Sequence, residues 1–111
     1  MSWLDSAIEQ ANNPIDVDVE GVGLGIKSLQ AKPLSAAEFQ VLKSEPEIAK
    51  LSGEDRNELL GLRVVYEMLA KCDSELSWNK FRQLPLSTLG ELATRVTEAV
   101  GSPTEGALGK S

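Results

Sequence analysis

Residues 54–71, EDRNELLGLRVVYEMLAK, carry the strongest helical signal in the chain. Apolar side chains recur at the spacing of a helix with about 3.6 residues per turn and cover most of its circumference, which is typical of the central helix of a fold. A narrow polar strip completes the helix. Gly61 lies inside it at a cost of about 1 kcal/mol relative to alanine, which predicts that a neighbouring element crosses closely there. The apolar positions are Leu59, Leu60, Leu62, Val64, Val65, Met68, Leu69 and Cys72, and the polar strip is Arg56, Arg63, Glu67 and Lys71.

Two alternating segments precede this helix. Residues 15–20 alternate apolar with acidic side chains, which predicts a half-buried strand with carboxylates on its outer face. Residues 22–26 alternate apolar side chains with glycine, which predicts a second strand. Glu20-Gly21 would then form the tight connection of an antiparallel hairpin. The apolar positions are Ile15, Val17 and Val19 in the first segment and Val22, Leu24 and Ile26 in the second.

Four more amphipathic or capped segments predict helices around this centre. Residues 2–12 predict a short helix that must dock to persist, and Ser35 to Glu38 fits a capping box. Residues 78–84 predict a short helix before Pro85, and a last helix, with a capping box at residues 88–91, ends near Gly101. The predicted fold is α+β, a mostly helical single domain (1–101) with a small antiparallel β-hairpin near the N-terminus, followed by about four helices. Residues 102–111, rich in Gly, Ser, Thr and Pro, predict a flexible C-terminal tail.

Composition restricts the chemistry available to the 111 residues. The chain has no histidine and one cysteine, so one copy holds no Ser-His-Asp or Cys-His machinery and no internal disulfide. Cys72 falls in an apolar helical register, which predicts a buried small hydrophobe. No group of candidate catalytic residues indicates an enzyme, and no cofactor or metal is expected. No segment predicts a membrane span or a secretory signal, so we expect a cytoplasmic protein with no membrane partner.

The formal net charge of -6 is concentrated near the N-terminus. The first 26 residues hold five acids and no Lys or Arg, whereas the rest of the chain is nearly neutral. The negative net charge argues against nucleic acid as a partner. Oligomeric state stays open, because the apolar residues of the central helix are covered equally well by the same domain or by a second copy.

The candidate partner-binding residues fall in two places. Asp16, Asp18 and Glu20 form the acidic face of the first strand, read either as a solvated face or as a contact edge; their spacing of about 7 Å is too wide for one cation. Trp78 and Phe81 are close in sequence, read either as core residues or as an exposed aromatic anchor.

Five short motifs occur in a characteristic order between residues 15 and about 100. They are Val22-Gly23-Leu24-Gly25 after an acidic β segment, Lys32-Pro33-Leu34-Ser35-Ala36-Ala37-Glu38 at a helix entry, Met68-Leu69-Ala70-Lys71-Cys72-Asp73 at a helix end, Leu84-Pro85, and Glu91-Leu92-Ala93. This order resembles the small tail assembly chaperones of long-tailed bacteriophages. The helix that contains Trp3 is not part of the resemblance.

The resemblance implies a non-catalytic function in the host cytoplasm. Such chaperones coat the tape-measure protein before the tail tube polymerises and recruit the tail-tube protein, so these two proteins are the expected partners. Many are made in a short form and a longer frameshifted form, and Gly109-Lys110-Ser111 is similar to the end of the short form. A slippery heptamer across codons 109 and 110 is therefore expected. The alternatives are an accessory protein retained in the mature tail or baseplate, and a regulatory adaptor unrelated to phage.

Overall fold

A computed structural model describes residues 2–101. Over this range the chain forms helices around a two-stranded antiparallel sheet, which confirms the α+β, mostly helical prediction with a hairpin near the N-terminus. Five helices follow the hairpin, two of them only four residues long. The predicted tail, residues 102–111, lies outside the described residues. The elements are α1 (Trp3–Ala11), β1 (Ile15–Asp18), β2 (Ser28–Ala31), α2 (Ala36–Lys43), α3 (Pro46–Ala49), α4 (Gly53–Ala70), α5 (Trp78–Phe81) and α6 (Leu86–Val100).

Helix α4 is the centre of the fold, as its periodicity predicts. It packs against α2, α3, α5, α6 and β2. All four of its buried residues lie in its last two turns, and the helix contacts both β2 and α6. Those residues are Val64, Val65, Met68 and Leu69. They join a core that also takes Val17, Val19 and Ala31 from the hairpin region, Phe39 and Leu42 from α2, Phe81 from α5, and Leu89, Leu92 and Val96 from α6.

The first predicted strand is confirmed over residues 15–18 but ends before Val19 and Glu20, and the second predicted strand is wrong. Strand β1 pairs with β2 in the register Ile15↔Ala31 to Asp18↔Ser28, and Val17 and Val19 are fully buried. The Gly-alternating segment is instead a loop between the strands. Its glycines at positions 21, 23 and 25 have φ of 86°, 102° and 78°, conformations that glycine adopts readily and that interrupt a strand. The alternation therefore marks a glycine-dependent loop.

The capping predictions have different outcomes. At α2 the Ser35 hydroxyl accepts from the Glu38 amide at 3.1 Å, and the Glu38 carboxylate accepts from the Ser35 amide at 2.8 Å, so this capping box is confirmed. The box predicted at residues 88–91 is wrong, because α6 already begins at Leu86, directly after Pro85. Pro85 is the N-cap residue, so Thr88 is the third residue of the helix and lies inside its first turn.

Glu38 also ties α2 to the end of α4. Its carboxylate accepts from Nζ of Lys71 at 2.7 Å, and the same ammonium donates to the carbonyl oxygen of Pro33 at 3.0 Å. Partial burial raises the pKa of Glu38, but the hydrogen bonds from Lys71 and Ser35 outweigh it and leave the pKa below its ordinary value. This contact fixes the helix entry that follows the hairpin.

Gly61 corrects another expectation, because no neighbouring element crosses it closely. A Cβ added at Gly61 would meet no atom within 4 Å. Replacing Gly61 with alanine is therefore expected to raise the free energy of unfolding by about 0.5–1 kcal/mol, through lower backbone entropy in the unfolded chain.

Urea unfolding checks this prediction, with Gly23→Ala as the opposite control. Gly23 has a φ of 102°, so alanine there is strained and should destabilise the fold. A Gly61→Ala variant less stable than the wild type would contradict the open environment of this position.

Candidate functional site

The acidic face of β1 lies on the surface. Asp16 and Asp18 are exposed on the outer side of the strand, and Glu20 is exposed in the turn that follows. Oδ1 of Asp16 accepts from Nε2 of Gln30 at 3.2 Å, and Oδ1 of Asp18 lies 4.0 Å from Nη1 of Arg95. Among the described residues no group of three or more His, Cys, Asp or Glu side chains is arranged to hold a metal ion. This face offers carboxylates to a partner or to solvent.

The candidate aromatic anchor is built into the core rather than displayed. Phe81 is only 8 % exposed. Its ring centroid lies 5.6 Å from that of Tyr66 and 6.1 Å from that of Trp78, within the range of favourable aromatic pairs. Three aromatic rings thus pack together where α5 meets α4, and Phe81 presents almost no surface to a partner. The interpretation as an exposed aromatic anchor is therefore wrong for Phe81.

Trp78 is half-buried at the edge of this aromatic cluster. The guanidinium groups of Arg63 and Arg82 lie 4.9 Å and 5.3 Å from its ring centroid, which permits cation–π attraction. Its indole Nε1 lies 3.4 Å from Oε1 of Glu47, and Glu47 also pairs with Arg82 at 3.1 Å. These contacts connect α3, α4 and the α5 region, so they assign Trp78 a packing role.

A large apolar groove, which the sequence does not predict, lies beside β2. Its volume is about 610 Å³. Helix α4, the segment after it, the loop between the strands and β2 each contribute to the walls. The only cysteine of the chain is half-buried here rather than fully buried as predicted. The apolar walls include Leu24, Ile26, Leu69, Cys72, Leu76 and Leu84.

Helix α1 is amphipathic but is not docked. Every residue of it is exposed, although the sequence predicts that so short a helix must dock. We define the α1 apolar face as the side of the helix formed by Trp3, Leu4, Ala7, Ile8 and Ala11. Each of its three large side chains is at least half exposed, and Trp3 is 79 % exposed. A large aromatic side chain therefore faces solvent.

Within residues 2–101, no helix combines the length and apolar character needed to cross a bilayer. Comparisons of the chain with protein-family models, with curated proteins and with solved structures gave no match.

Proposed function

We propose that this protein is a tail assembly chaperone of a long-tailed bacteriophage, and that it binds the tape-measure protein and aids assembly of the tail tube without catalysing a reaction. The order of motifs between residues 15 and 100 supports this function by resemblance. Its expected partners are the tape-measure protein and the tail-tube protein, and its expected location is the host cytoplasm.

The observation that carries the proposal is the undocked α1 apolar face. A tape-measure protein presents long apolar helical surface before the tube encloses it, and an amphipathic helix covers such surface by matching apolar faces. Trp3 supplies the kind of large aromatic side chain that is enriched at binding hot spots. Asp5 and Glu9 lie on the other side of α1. When α1 covers the tape-measure protein, these carboxylates would therefore face solvent.

Coating a long client requires many copies, each with modest affinity. Several weakly bound domains along one chain reach high overall occupancy, and each copy still leaves when tube subunits replace it. A short helix with five apolar side chains fits that requirement better than a deep, tight site does.

The test is co-expression of the protein with the tape-measure protein of its own genome. The triple variant Trp3→Ala, Leu4→Ala, Ile8→Ala is expected to bind at least about 100-fold more weakly, because each truncated hot-spot side chain costs about 1 kcal/mol or more. Its free energy of unfolding should change little, because these side chains are exposed in the free protein.

The single variant Glu9→Ala, on the opposite side of α1, is the control and should bind like the wild type. Charge reversal at Asp16, Asp18 and Glu20 tests the acidic face in the same assay. A tape-measure protein that stays insoluble with the wild type would overturn the proposal. Stoichiometric presence of the protein in purified particles, measured by mass spectrometry, would instead favour a retained tail or baseplate component.

A further inference from the structure

The outer edge of β2 is an unpaired strand edge. The Val19 amide donates to the carbonyl oxygen of Lys27 at 2.9 Å, so these residues form a hydrogen-bonded pair of the ladder. Hydrogen-bonded and non-hydrogen-bonded pairs alternate along an antiparallel ladder. In the observed register Ser28 and Gln30 therefore belong to non-hydrogen-bonded pairs. Their main-chain N–H and C=O groups point away from β1.

Lys32, two residues after Gln30, also directs its main-chain N–H away from β1. The amide of Lys32 donates to the carbonyl oxygen of Met68 at 3.0 Å, so the end of α4 closes one end of the edge. Within residues 2–101, no other main-chain group bonds to the outward groups of Ser28 or Gln30. A strand edge left open in this way is a template for another strand.

The open edge lies along the apolar groove. Ser28, Leu29 and Gln30 line the groove together with the apolar walls described above. A strand added beside β2 would place alternate side chains towards these walls, because side chains alternate in direction along a strand. The groove thus supplies side-chain pockets next to main-chain hydrogen-bonding groups.

The charge of the groove indicates what kind of segment it accepts. Its lining includes two carboxylates, Asp16 and Asp73, and among the described residues no Lys or Arg side chain. A basic side chain on an incoming segment would find a partner there, whereas an acidic one would be repelled. The charge complement of this groove is therefore a segment with an apolar centre and basic flanks.

We infer that β2 and the groove bind an extended peptide segment, which adds a third strand to the sheet. Main-chain hydrogen bonds to Ser28 and Gln30 hold the segment, apolar side chains at alternate positions enter the groove, and flanking Lys or Arg residues meet Asp16 and Asp73. This surface is distinct from the α1 apolar face, so the inference does not depend on the proposed function.

The experiment uses the full chain and a synthetic nine-residue peptide in which leucine or valine alternates with threonine between terminal lysines. Cys72 is the only thiol and lines the groove, so its alkylation by a small maleimide reports occupancy. At a peptide concentration ten times the Kd, alkylation should be about tenfold slower. The amide signals of Ser28 and Gln30 should shift in the same titration.

Two variant pairs separate strand addition from side-chain effects. Gln30→Pro removes an outward N–H without removing a bond of the β1 ladder, and it should abolish protection of Cys72, whereas Gln30→Ala should retain it. Ile26→Arg places a charge in the groove at a residue that is 47 % exposed, and it should weaken binding at least about tenfold. Val41→Arg, at a position 63 % exposed on α2, is its control and should bind normally.

A peptide with a central proline and one with glutamate in place of lysine are the ligand controls, and both should fail to protect Cys72. Equal protection by the proline peptide would overturn strand addition. No protection and no amide shifts at millimolar peptide would overturn the site. If protection of Cys72 increases with protein concentration in the absence of peptide, and sedimentation shows a dimer, the groove binds a second copy of the chain instead.

Discussion

Replacing Leu92 with alanine is expected to lower the free energy of unfolding by about 3 kcal/mol. Leu92 lies on α6, is 1 % exposed and belongs to the core between α6, the hairpin and α4. Truncation of a buried leucine removes its transfer free energy and leaves a cavity. Because small domains have total stabilities of about 5–15 kcal/mol, this change removes a large share of the stability.

Thermal unfolding measures the effect, with Leu86→Ala as the matched control on the same helix. The expected fall in Tm for Leu92→Ala is about 12–24 °C for a domain of this size. Leu86 is 81 % exposed, so its truncation should change stability by no more than about 0.5 kcal/mol. Equal effects of the two substitutions would contradict the packing of α6 against the core through Leu92.

Most of the helices could be predicted from sequence because each carries its own local signal, whereas the four-residue α3 was not predicted. The apolar spacing of α4 and α6 repeats over several turns, and the Ser35 to Glu38 box specifies where α2 begins. The second strand could not be placed in the same way. An apolar side chain at every second position is the pattern of a strand, but glycine at the positions between permits positive φ, and 22–26 became a loop while 28–31 pairs with β1.

The candidate sites also divide into features that local sequence predicts and features that depend on how distant segments pack. Asp16 and Asp18 were predicted on one exposed face because a period of two is a local property of β1. The groove depends on where the interstrand loop, β2 and the end of α4 meet, and no single segment of sequence encodes that meeting. The burial of Phe81 depends on its contact with Tyr66 of α4, which the spacing of Trp78 and Phe81 within α5 does not encode, so local spacing alone left both core and surface open as interpretations.

Replacing Phe81 with alanine is expected to lower the free energy of unfolding by about 3–5 kcal/mol, the usual cost of truncating a buried phenylalanine. The ring stacks on Trp78 and tilts against Tyr66, so its loss removes one aromatic contact from each of these rings, which keep only their contact with each other. Binding by this variant would fall in proportion to its folded fraction, so weaker binding alone would not identify a contact.

Phe81→Leu separates packing from contact, because an apolar replacement of closer volume is expected to cost less than Phe81→Ala. Urea unfolding and binding to the tape-measure protein, measured together for both variants, give the answer. We expect Phe81→Leu to bind like the wild type at a temperature where it is fully folded. Lost binding by a folded Phe81→Leu protein would contradict a packing role and assign the ring to a contact. Retained binding means that Phe81 acts on partners only by holding α5 against α4, and the exposed surfaces of the chain are then the ones left to bind them.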